Sequence, residues 1–353
     1  MITLVGAACS TSKNSGSGSG SSGTKKIALL LPETKTTRYE TQDKPLFEAK
    51  VQALCSDCQI IYNNADQSAS KQQDQADAAL TNGAKVLVLD PVDSASAASI
   101  VAKAKAKSVP VISYDRLVTN ANLDYYISFD NALVGKLQGQ ALVAKLKANG
   151  TASGSLVMIN GSPTDNNAKL FKQGAHSVLD SSGYKIAKQY DTPDWSPDKA
   201  QTEMEQAITA LGKSGFVGVY AANDGTAGGA IAAMKGQGIS TIPPITGQDA
   251  ELAAIQRILL GQQYMTVYKA IKPEAEDAAQ LAVDLVNGDT SAASGMATKT
   301  VNNGQKDVAS ILLTPQPVTK SNVNSTVVKD GFWTASQICI PAVASACQAA
   351  GIS

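Results

Sequence analysis

The chain has 353 residues, too many for one small core and enough for two α/β lobes. Its 30 lysines and arginines balance 30 aspartates and glutamates, so the net charge is zero and no basic stripe is available to follow a phosphate backbone. That excludes nucleic acid as a partner.

Met1-Ile2-Thr3-Leu4-Val5-Gly6-Ala7-Ala8-Cys9 runs from apolar to small residues and ends on cysteine. It reads as the tail of an export signal and resembles a bacterial lipobox, which makes Cys9 the expected lipidation site. Glycine stands where leucine is usual and no charged segment precedes it, so a truncated or misassigned start is expected. Ser10 to Thr24 is a Ser/Gly-rich tether that cannot bury a core. Its Gly18-Ser19-Gly20-Ser21-Ser22-Gly23 precedes the first strand and does not follow one, so it is no dinucleotide site, and no cofactor is expected.

From Lys25 onward, short apolar runs alternate with helical patterns, the signature of βαβ units and parallel sheets. Strands are predicted at Ile27–Leu31, Gln59–Tyr62, Val86–Leu89, Pro110–Ser113 and Tyr126–Phe129. A second series follows at Ser155–Ile159, Tyr184–Tyr190, Phe216–Tyr220, Pro244–Gly247 and Tyr264–Tyr268. The spacing predicts intervening helices at Ala69–Asn82, Ala95–Lys107, Asn131–Ala148, Ala168–Ser181 and Asp198–Leu211. A further helix, Pro273–Asn287, leads through a looser segment, Gly288–Asp307, to a strand at Val308–Leu313. Ten or more strands are too many for one sheet and call for two. The tail beyond is too short for a third domain and must return to the lobes.

Four cysteines remain besides Cys9. In an exported protein they favour disulfides, and four allow three connectivities. The sequence-local pairing, Cys55 with Cys58 and Cys339 with Cys347, is the expected one. Cys55-Ser56-Asp57-Cys58 closes a helix and leads into a strand, the reverse of a thioredoxin-type redox motif. Zinc is not expected, because the single histidine, His176, lies far away on its own helix.

Several predicted strands end on polar or aromatic tips: Tyr114-Asp115-Arg116, Asn160-Gly161-Ser162 leading to Asp165-Asn166-Asn167, Asn223-Asp224, and Gln248-Asp249. In open α/β sheets a ligand sits just beyond the carboxyl ends of the strands. Arg, Asn and Asp with Trp and Tyr nearby suit a neutral polyhydroxylated molecule. Serines without a histidine base offer no nucleophile. Asp115 and Asp249 could act as a glycosidic acid–base pair, but acceptors for sugar hydroxyls are the favoured reading.

These tips carry a resemblance. Ser113-Tyr114-Asp115-Arg116, the Tyr126–Asn131 and Gly161–Phe171 stretches, Asn223–Ala230, Gly247–Ala250 and Met265–Lys269 resemble the D-xylose-binding proteins of bacterial ABC transporters, in order and at similar spacing. The resemblance implies a type I periplasmic binding protein fold: two Rossmann-like lobes with parallel sheets, joined by a three-strand hinge, with ligand clasped between. The implied division is a leader and tether at 1–24, an N-terminal lobe at 25–127 and 264–305, and a C-terminal lobe with tail at 128–263 and 306–353. Carried over residue by residue, the implied site is Arg38, Tyr39, Asp115, Arg116, Asn166, Asn167, Trp195, Asn223, Asp249 and Lys269. Tyr39 stands where the family has tryptophan. Arg and Asn can grip vicinal hydroxyls, Asp249 supplies charge-assisted acceptors, and Trp195 and Tyr39 can cover the C–H faces of a pyranose. The alternative roles are that Asp115 serves only to orient Arg116, and Lys269 only as a hinge residue. The implied function is a non-enzymatic, exported monomer that delivers D-xylose or a related monosaccharide to an ABC permease and touches the membrane through a lipid anchor. A sensing module for a kinase or chemoreceptor, or a glucose or galactose binder, are the alternatives.

Overall fold

The computed structural model describes residues 24–352, so Cys9 and nearly all of the tether lie outside the described residues. Seven strands build the first sheet: β1 (Lys26–Leu31), β2 (Gln59–Asn64), β3 (Val86–Leu89), β4 (Val111–Tyr114), β5 (Tyr125–Phe129), and later β10 (Lys299–Asn302) and β11 (Asp307–Leu313). Their order is β10-β11-β5-β4-β3-β1-β2, parallel throughout except for the β10–β11 hairpin. The central strands read as unbroken apolar runs because both of their faces are covered. Ile27, Leu29 and Val88 pack with Phe47, Val51 and Leu281 of the helices Lys44–Leu54 and Ile271–Asn287. Leu30, Leu87 and Leu89 pack on the other side with Ala76, Ala79 and Ile100 of Ala69–Thr81 and Ala98–Ala106.

The second lobe holds β6 (Ser155–Asn160), β7 (Lys185–Asp191) and β8 (Gly218–Ala221) in the order β7-β6-β8, with β9 (Met265–Tyr268) paired to β12 (Gln316–Thr319). The segment around Ile245–Gln248 bridges β8 to β9 through single pairings of Val219 with Ile245 and Gln248 with Val267. The predicted strand at Pro244–Gly247 is therefore a connecting ribbon, since Pro243 and Pro244 remove two ladder donors. Helices Asn131–Ala148 and Asn166–Leu179 cover one face, and Pro197–Leu211 and Asp224–Gly236 the other.

β5 and β11 belong to the first sheet and β9 pairs with β12 in the second lobe, so the chain changes lobes after Phe129, after Tyr268 and after Leu313. The sequence division put one break inside β5, at 127/128, and the others before β9 and β11, at 263/264 and 305/306, and so assigned 128–129 and 306–313 to the C-terminal lobe and 264–268 to the N-terminal one. The pairing corrects this. Each hinge strand is the last strand of the lobe being left. β10 and β12 were not anticipated, because Lys-Thr-Val-Asn and Gln-Pro-Val-Thr are short edge strands with little apolar signal.

Cys55 is bonded to Cys58 and Cys339 to Cys347, the sequence-local pairing. The tail returns as expected. Val323, Val327, Phe332 and Ile338 pack onto Phe129 and Tyr268 beside the hinge. Among the described residues no helix is long and apolar enough to cross a membrane.

Candidate functional site

The carboxyl ends of the strands in the two lobes face each other across a narrow cleft. Its walls include Arg38, Tyr39, Asp115 and Arg116 from the first lobe, Asn167, Trp195, Asn223 and Asp249 from the second, and Lys269 just beyond β9. Nine of the ten anticipated site residues thus come together. Asn166 does not line the cleft. Its backbone N–H donates to Ser94 Oγ at 3.0 Å on the rim, and its neighbour Asp165 lines the cleft instead. Asp165 is the N-cap of the helix that follows, accepting from Asn167 N at 2.8 Å. That cap fixes which side chains of Asp-Asn-Asn turn inward.

Arg38 spends most of its five donors on carboxylates. Nε and Nη2 grip Asp43 at 2.9 and 2.6 Å, Nη2 also reaches Glu274 at 2.6 Å, and Nη1 reaches Asp115 at 3.3 Å. Only one N–H is left over. The residue expected to grip sugar is chiefly a buried organiser of Asp115. Tyr39 donates its hydroxyl to the same carboxylate at 2.9 Å, and the Arg38 and Arg116 guanidiniums lie over its ring, 5.3 and 5.5 Å from the centroid. Asp115 therefore orients to Arg38 and Tyr39, not to Arg116 as the simpler reading had it.

Burial alone would raise the Asp115 carboxyl, but Arg38, Lys269 and Arg116, with the Tyr39 hydroxyl, bring it down to about 2. A carboxylate held that low cannot be the general acid of a glycosidase, which needs a raised pKa. It also ties stability to pH. The folded pKa lies below the unfolded one, so the stabilisation is complete above pH ~4 and is lost as pH falls toward 2, amounting to about 2 kcal/mol. Denaturant melts of the native protein and Asp115→Asn should converge over that interval. A constant gap would refute the assignment.

Arg116 spans the lobes. Its Nη2 lies 3.3 Å from Glu33 and its Nε 3.1 Å from Asp165. Asp165 also accepts from Trp195 Nε1 at 3.0 Å. Trp195 is seated by Gly161, where any Cβ would stand 2.0 Å from the indole ring. Phe171 meets the indole edge-on at 6.2 Å.

Asn223 caps the helix Asp224–Gly236: its amide oxygen accepts from Thr226 N at 2.8 Å. The amide N–H₂ remains for a ligand. Lys269 Nζ lies 2.9 Å from Asp249 and 3.9 Å from Asp115, so one cation couples carboxylates of opposite lobes. Burial would lower its pKa, yet Asp249 and Asp115 raise it, and it stays charged. Gln248 also lines the cleft with a buried Oε1 that has no protein partner.

Rim contacts join the lobes: Ser94 N to Thr164 O at 3.0 Å, Gln67 Nε2 to Asp194 O at 3.1 Å, and Asn167 Nδ2 to Asp115 O at 2.9 Å. The cleft is shut.

Asp43, Asp90, Glu33, Asp165 and Glu274, absent from the anticipated site, complete its charge. Among the described residues the buried cations Arg38, Arg116 and Lys269 face seven carboxylates, these five with Asp115 and Asp249. The cleft wall itself carries three of these carboxylates, Asp115, Asp165 and Asp249, against the three cations, with the amides of Asn167, Asn223 and Gln248 between them. Such a balanced set of donors and acceptors matches a neutral ligand rich in hydroxyls.

Residues 27–290 match the family described as the periplasmic binding protein domain. The chain belongs to the periplasmic binding protein family. It is 39% identical to a D-xylose-binding periplasmic protein of Escherichia coli, over 89% of this chain and 92% of that one. It is equally 39% identical to one from Haemophilus influenzae, over 96% and 98%. Among solved structures, an ABC transporter solute-binding protein of Clostridium phytofermentans with bound β-D-glucose superposes with a TM-score of 0.81 at 28% identity, covering 89% of this chain and all of that one. The type I periplasmic binding protein fold and the kinship with D-xylose-binding solute-binding proteins, both implied by the strand tips, hold.

Proposed function

We propose that the protein captures D-xylose between its lobes and delivers it to an ABC permease, without catalysing any reaction. The observation that carries the reading is Lys269 bridging Asp115 and Asp249 across the cleft, beside the free amide of Asn223. Each lobe holds only part of a hydroxyl-binding set, so ligand favours the closed state, which is the requirement for ligand-driven closure. The relatives described as D-xylose-binding support the pentose. The glucose-bound solved relative supports a hexose as the second reading. A closed cleft this narrow must find room and a partner for an extra CH₂OH, so xylose is favoured over glucose. X-ray scattering during a xylose titration should show a saturable fall in radius of gyration. Tight binding with no compaction would overturn the clamp.

The proposal includes an anchor at Cys9, placed between small residues and a Ser/Gly leash. Expressed in a bacterial host, the full-length protein should incorporate radioactive palmitate, and Cys9→Ser should not. Equal labelling of the two would remove the anchor.

A further inference from the structure

Asp249 and Ala250 both have positive φ, 91° and 52°. Two successive non-glycine residues in that region are costly and persist only when their surroundings over-determine them. The turn's backbone is held at four points. Asp249 N donates to Val267 O at 2.9 Å, Ala250 N to Thr266 Oγ1 at 3.2 Å, and Glu251 N to Asp224 Oδ2 at 3.0 Å. The fourth holder comes from the C-terminal tail: Trp333 Nε1 donates to Ala250 O at 2.8 Å.

The tail touches the other arm of the ion pair too. Phe332 stacks edge-on against Trp333 at 5.3 Å and against Tyr268 at 5.2 Å, and Tyr268 immediately precedes Lys269. One aromatic pair therefore abuts the residue after Asp249 and the residue before Lys269. Both rings are buried, and the Cys339–Cys347 disulfide closes the segment that follows them, with Cys347 in the same apolar cluster.

We propose that Trp333 is a positioning residue of the sugar site: its indole N–H, holding the Ala250 carbonyl, fixes the left-handed turn that presents Asp249 to ligand and to Lys269. The inference rests on the reading of the cleft as a monosaccharide site. Without the donor, the carbonyl is buried unpaired, and the turn has a reason to relax away from the cleft.

Two substitutions separate donation from packing. Trp333→Phe keeps an aromatic ring and loses the donor. Trp333→His loses the benzo ring, but its Nε2–H falls where the indole has Nε1–H, so at pH 8 it keeps the donor. Calorimetric titration with D-xylose and D-glucose should show Trp333→Phe binding about tenfold more weakly, ~1.4 kcal/mol, and Trp333→His within about threefold of native, although it is the less stable fold. In an Asp249→Ala background, Trp333→Phe should add less than about twofold. Native binding with both variants unchanged would overturn the positioning role and leave the site reading standing. So would Trp333→His binding more weakly than Trp333→Phe. If Trp333→Phe does not fold, Trp333→His binding tenfold or more weakly than native overturns the proposal by itself. A native protein that binds neither sugar overturns the site reading, and the inference with it.

Discussion

Replacing Arg38 by methionine should destabilise the protein by roughly 3–5 kcal/mol, the cost of removing one partner from a buried ionic cluster. Asp43, Glu274 and Asp115 converge on this one guanidinium, and all four side chains are almost completely buried. Without it three carboxyls share a dry volume in which, among the described residues, Lys269, 3.9 Å from Asp115, and Arg116 are the counter-charges that remain. Burial already pushes Glu274 well above the ordinary carboxyl range, and Arg38 is the first of the groups that oppose this. Adding Asp43→Leu and Glu274→Gln to Arg38→Met should recover much of the loss, because a buried ion cluster is often replaceable by apolar groups of similar volume. Denaturant midpoints of the single and triple variants provide the comparison. A single variant as stable as the native protein would show that the cluster contributes no net stabilisation.

Asp249→Ala should weaken D-xylose binding by at least ~30-fold. Removing one partner of a buried, charge-assisted interaction costs roughly 2–5 kcal/mol, and each ~1.4 kcal/mol is a factor of ten. The geometry argues for the upper part of that range. Lys269 Nζ loses its 2.9 Å partner while keeping its charge, and the site loses an acceptor that reaches the cleft from the second lobe. A folded variant whose affinity stays within ~3-fold would remove Asp249 from the site.

The strand tips were legible because the chemistry is local. Tyr114-Asp115-Arg116 and Gln248-Asp249 follow apolar segments directly, and the carboxyl end of a parallel sheet is where ligands sit. The counter-ions were not legible. Glu274 lies 236 residues from Arg38 in sequence, on a helix where a glutamate reads as a solvated acid until the fold buries it. Asp165 against Asn166 was a matter of one residue, settled by where the helix begins. In the sequence Arg38 suits a sugar-gripping role because its residue type suits hydroxyls; only the positions of Asp43 and Glu274 show that most of its donors are already committed. The lobe boundaries shifted by a few residues because a hinge strand has the same apolar pattern whichever sheet it joins. Trp333 carried no signal at all, since its partner is a backbone carbonyl 83 residues away.

Isothermal titration of the purified protein with D-xylose and D-glucose decides whether the cleft is a D-xylose site. One xylose per chain should bind with saturable heat, abolished or strongly weakened in Asp249→Ala, and glucose should bind more weakly. Glucose binding as tightly as xylose, or no heat with either sugar, would contradict it.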